Sequence, residues 1–214
     1  MLRRILILIL LCGFLAAQTA RPERKVKDNV ITSDRDPVVQ IRLPRSAQYA
    51  GADRWILYDI ADCELHAFVD VDATKNVRAL YWIQFEGYVP TRPELRHNYT
   101  SPRHANLGGK DFFLDTWVRR KDADVRPGGD VEHIQALIES KGYHLPDAMM
   151  YVRLVHLLDE QTRKELMIIY GEDIAPSGLA AADLQPGGKA YDRWPALEKG
   201  LIDRAEEKIG IAWK

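Results

Sequence analysis

The chain has 214 residues, 46% hydrophobic and 29% charged, a balance that supports a packed core and excludes a disordered polymer. Its 30 basic and 31 acidic residues leave a net charge of −1, which argues against a general nucleic-acid binder, because such proteins carry a basic excess. The length implies one domain behind whatever precedes it.

Met1-Leu2-Arg3-Arg4 is a positive head, and Ile5 to Ala17 is an unbroken run of apolar and small residues. This is the layout of a secretory signal peptide, and the run is shorter than the roughly 20 residues a membrane span needs. We therefore expect residues 1–17 to be a signal peptide cleaved after Ala17, with retention as an anchor the alternative, and a secreted or periplasmic protein that leaves the membrane on cleavage. Loss of Arg3 and Arg4 would give 28 basic against 31 acidic residues, a charge of −3. Loss of Cys12 would leave Cys63 alone, so no disulfide can form within the mature chain. Cys63 adjoins an apolar stretch and is expected to be buried.

Residues 18–37 are charged and polar and read as a flexible spacer, followed by a single α+β domain over 38–214. Val38 to Leu43 reads as a strand stopped by Pro44, and Trp55 to Ile60 as another. Leu65 to Pro90 reads as an antiparallel hairpin about a turn at 72–76. Leu65, Ala67, Val69 and Val71 would share one face with Val77, Ala79, Tyr81, Ile83 and Phe85. The opposite face would carry His66 with Trp82, Gln84, Glu86 and Tyr88.

Residues 89–110 hold three prolines and a Gly-Gly pair without periodicity, a long loop of the kind that is either functional or mobile. Phe112 to Val118 returns to strand character. Asp130 is a candidate N-cap for a helix with the stripe Val131, Ile134, Leu137 and Ile138, stopped at Gly142. A second hairpin is expected from 149–158 and 165–170. A last helix begins near Trp194, with Leu197, Leu201, Ala205 and Ile209 on one stripe. Hairpins dominate and strands do not alternate with helices, so the fold class is α+β: a mainly antiparallel sheet with two amphipathic helices packed on one face.

No motif names a reaction. HExxH, the G-x-S-x-G elbow and phosphate-cradling glycine loops are absent, and the six histidines have no diagnostic spacing, so neither a metal nor another cofactor is expected. What remains is a mixture of aromatic and polar groups suited to a small ligand. The candidate ligand-binding set is His66, Trp82, Gln84, Glu86 and Tyr88 from the hairpin, with Arg96, His97, Tyr99, Arg103 and His104 from the loop. The basic loop would close over a small, partly apolar or anionic ligand. The leading expectation is an exported small-ligand-binding protein with its pocket between the 65–90 hairpin and the 89–110 loop. The alternatives are a hydrolase or isomerase using Glu86 with a histidine, or with Glu172 across the sheet, and a partner-binding envelope protein without a pocket.

Overall fold

The computed structural model describes residues 20–214, so the expected signal peptide at 1–17 lies outside the described residues. The strands are β1 (Lys25–Lys27), β2 (Val30–Asp34), β3 (Val38–Arg42), β4 (Gln48–Leu57), β5 (Ala61–Val71), β6 (Val77–Tyr88), β7 (His104–Leu107), β8 (Lys110–Arg120), β9 (Ala148–Leu157), β10 (Lys164–Asp173) and β11 (Gly210–Trp213). The helices are α1 (Asp130–Ser140) and α2 (Trp194–Lys208). Two antiparallel sheets result, one of four strands in the order β1-β2-β3-β11 and one of seven in the order β4-β5-β6-β10-β9-β8-β7. The protein is thus α+β with mainly antiparallel sheet.

Both faces of the larger sheet are covered, each by a different layer. On one face Phe68, Tyr81, Ile83, Phe85, Val152, Leu154 and Tyr170 meet Ile31, Val39 and Ile41 of the smaller sheet and Leu201 and Ala205 of α2. On the other, Leu65, Ala67, Leu80, Trp82, Met167 and Ile169 meet Ile134 and Ile138 of α1. The helices therefore lie on opposite faces, which corrects the one-face expectation. The physical reason is that β5, β6, β9 and β10 are apolar on both faces, and each face needs its own cover.

The stretch expected as a charged spacer over 18–37 carries β1 and β2. Ile31 is fully buried, and the Arg24 guanidinium reaches the buried Glu64 carboxylate at 3.0 Å, while the Glu23 and Arg24 amides donate to the same group at 2.8 Å each. These contacts offset the entropy of ordering a polar segment, which composition alone does not reveal. At the other end, β11 pairs with β3, placing Ile211 opposite Ile41. It also presses on the β7–β8 turn, where Gly108 has φ +60° and a Cβ would sit 2.6 Å from the Ile211 carbonyl oxygen, so only glycine fits.

The connection between β6 and β7 is long because it crosses β10, β9 and β8 to reach the sheet edge. It is anchored along this path. The His97 amide donates to the Thr162 carbonyl at 2.7 Å, and Ser101 Oγ donates to the Leu114 carbonyl at 2.6 Å. Arg163 donates to four carbonyls, those of Tyr88, Val89, Arg92 and Leu95, at 3.0–3.1 Å. This guanidinium fork ties the start of the loop to the β9–β10 turn.

Candidate functional site

On the α1 face, a row of three side chains crosses adjacent strands. Cys63 on β5 stands opposite Glu86 on β6, and Glu86 stands opposite Glu165 on β10. The loop adds His97 and Tyr99, and the first residue of α1 adds Asp130. Oxygen or nitrogen atoms of Glu86, His97 and Glu165 lie within 4.8 Å of one another, and the same holds for donor atoms of Cys63, Glu86 and Asp130. Glu86 belongs to both groups and is the hub.

The contacts give each group a defined orientation. The Tyr99 hydroxyl donates to Glu165 Oε2 at 2.7 Å, and His97 Nδ1 lies 2.9 Å from the same oxygen. Trp82 Nε1 donates to Gln84 Oε1 at 2.9 Å, which turns the Gln84 amide so that Nε2 donates to Glu86 Oε2 at 3.1 Å. Tyr88 stacks on the His97 ring with centroids 4.4 Å apart. His97 Nε2 and Asp130 Oδ1 are buried and have no hydrogen-bond partner.

Burial, reinforced by the nearby charges of Glu165 and Asp130, pushes the Glu86 carboxyl up to about 7. Asp130 is raised chiefly by burial, and the Cys63 thiol is driven far up by the same cause, which keeps it an inert thiol. Burial alone would lower His97, but its contact with Glu165 and the field of Glu86 raise it, so the imidazolium is favoured beside two carboxyl groups.

Of the residues expected from sequence, the fold brings together Trp82, Gln84, Glu86, Tyr88, His97 and Tyr99. The others go elsewhere. His66 pairs with Ile83 and so points to the opposite face, where it contacts Tyr49 and Glu64 at 3.1 and 2.9 Å. Arg96 is turned back onto the carbonyls of Pro93 and Leu95. Arg103 crosses to the α2 face and pairs with Glu198 at 2.6 Å. His104 sits at the exposed edge with Asp111. Glu172, considered as a partner for Glu86, is held by Arg204 of α2 at 2.6 Å, and the partner is Glu165 instead. Glu165 had a signal in the sequence: it shares a face with Met167 and Ile169, so an acid continues an otherwise apolar row.

Beside this centre lies a cavity of about 170 Å³ between α1 and the sheet. Trp82, Trp117, Ile134, Met149, Met167 and Ile169 provide apolar walls, and Arg119, Lys121 and Arg153 add positive charge. Asp130 and Trp82 belong to both cavity and centre, so the two are contiguous. Between hairpin and loop the rings of Tyr88, His97 and Tyr99 stack, with successive centroids 4.4 and 6.5 Å apart.

No protein-family model, no curated protein and no solved structure matches the chain. Among the described residues, no helix is long and apolar enough to cross a membrane.

Proposed function

We propose that the chain is an exported binding protein for a small amphiphilic anion, held between α1 and the larger sheet rather than under the 89–110 loop. The observation that carries this reading is the apolar cavity with three cationic side chains in its lining. A dry apolar cavity of about 150 Å³ accommodates benzene, so 170 Å³ suits a single ring or a short alkyl chain. Arg153 Nη2 donates to Asp115 at 2.7 Å, but the buried Nε has no partner and remains as a donor for a carboxylate or sulfonate head. Export rests on the composition of Met1 to Ala17 and is tested by the N-terminus of protein recovered outside the cytoplasm, expected at Gln18.

Calorimetric titration with benzoate, hexanoate and neutral benzyl alcohol tests the binding reading. Benzoate or hexanoate should bind, Ile134→Trp should fill the cavity and abolish binding, and Arg153→Gln should weaken the acids more than the alcohol. Absence of heat with every probe at millimolar concentration would remove this function.

The second reading, a hydrolase or isomerase, is favoured by Glu86, whose carboxyl titrates near neutral pH beside His97, in the range useful to a general acid or base. A turnover screen in which Glu86→Gln loses activity but keeps benzoate binding would select it.

A further inference from the structure

We propose that Glu86, His97 and Glu165 form a binding site for a divalent first-row transition metal ion of the zinc type. The ligand atoms already converge, within 4.8 Å of one another. Tetrahedral zinc with bonds near 2.0–2.1 Å separates its ligands by roughly 3.4 Å, so side-chain adjustments of about an ångström complete the set.

Three further observations point to a cation. Two carboxylates placed directly opposite on neighbouring strands repel one another, and a divalent cation between them relieves that repulsion more fully than the single charge of the His97 imidazolium. His97 is only 8% exposed; its Nδ1 lies 2.9 Å from Glu165, while Nε2 makes no hydrogen bond, so one buried ring nitrogen is without a partner. The carboxylates are also oriented from behind, Glu165 by the Tyr99 hydroxyl and Glu86 by the Trp82–Gln84 relay. Outer partners of this kind fix metal ligands and tune their basicity. Asp130 flanks Glu86 as an additional oxygen donor. One imidazole with two carboxylates suits zinc, manganese or ferrous iron better than calcium or magnesium, which prefer all-oxygen shells.

The site was invisible in the sequence because its three ligands lie on β6, the crossing loop and β10, with no local spacing. It stands independently of the anion-binding reading, since its ligands are not the lining of the cavity apart from the shared neighbours Trp82 and Asp130.

The test is titration of the chelator-stripped full chain with zinc, read by calorimetry and by the thermal midpoint. One ion per chain and a raised midpoint are expected. His97→Gln and Glu86→Gln should each weaken binding by at least about 100-fold, and Tyr99→Phe, which leaves all three ligands, by about 10–100-fold. No heat and no shift at millimolar zinc overturns the proposal, as does undiminished affinity in His97→Gln and Glu86→Gln. Should His97→Gln fail to fold, the zinc X-ray absorption spectrum of the native protein decides. One imidazole with oxygen neighbours supports the site, and a shell dominated by sulfur or lacking imidazole overturns it.

Discussion

Glu86 and Glu165 face each other across the β6–β10 pair, but their surroundings differ. Glu165 serves as the shared acceptor for Tyr99 and His97, whereas Glu86 accepts from the neutral Gln84 amide. The two carboxylates are therefore unequal in what they hold in place.

The first prediction follows from that asymmetry. In metal-chelated buffer at pH 7, Glu165→Gln should lose about 1.5–3 kcal/mol in urea unfolding, because hydrogen bonds to a charged acceptor are removed. Glu86→Gln keeps an acceptor for Gln84 and removes a like charge, so it should be neutral or stabilising. Equal losses in the two variants would contradict the contacts described.

Acid sensitivity should come from Glu64 on the other face. Burial works to raise this carboxyl, but the His66 imidazole, the Glu23 and Arg24 amides and the Arg24 guanidinium outweigh it and hold it at about 2, below its ordinary 4.5. A carboxyl depressed on folding stabilises the protein above its unfolded pKa, and that contribution disappears as pH falls from about 4.5 to about 2. The shift corresponds to ~3 kcal/mol. Chemical denaturation across this window should show the loss in the native chain and a flatter profile in Glu64→Gln.

α1 is fastened through Ile138, which is fully buried against the sheet. Ile138→Ala should cost ~2–5 kcal/mol, the range for buried isoleucine truncations. Leu137→Ala, at a partly buried position on the same helix, should cost less. Thermal unfolding of both variants measures the difference.

The Arg163 fork makes a kinetic prediction. Arg163→Ala removes donors from three loop carbonyls and that of Tyr88 at the end of β6, and amide exchange at His97 should accelerate about tenfold or more, the equivalent of ~1.4 kcal/mol of local stability. Arg163→Lys should restore only part of the protection, since an ammonium cannot reproduce the planar fork. Unchanged exchange in Arg163→Ala would show that the loop is held by its other contacts.

The alternation in β5 and β6, the Ile134–Ile138 stripe and the Met149–Tyr170 hairpin were all legible, because apolar period reports directly on strands and helices. The facing of β5 against β6 was not. Leu65 pairs with Gln84 and Ala67 with Trp82, so the faces combine one residue out of step with the expected assignment, and His66 moves away from Trp82. Both faces of these strands are apolar, which leaves the register to the turn, where the pairing slips between Asp70 and Val71. The loop's course and the Glu165 partnership depend on strand order, which no local pattern encodes. β1, β2, β7 and β11 are short, the first three half-polar or more and the last opened by glycine, and they gain their strand character from pairing.

The pairing of β3 with β11 also constrains when the protein can assemble. Ile41 meets Ile211, a partner 170 positions further along the chain. A chain emerging N-terminus first must present β3 with one edge unpaired until Gly210–Trp213 arrives, and an open edge is a template for pairing with another molecule. Gly210–Trp213 thus closes the open side of β3. A change that disturbs Gly210–Trp213 should expose the edge of β3 and favour self-association.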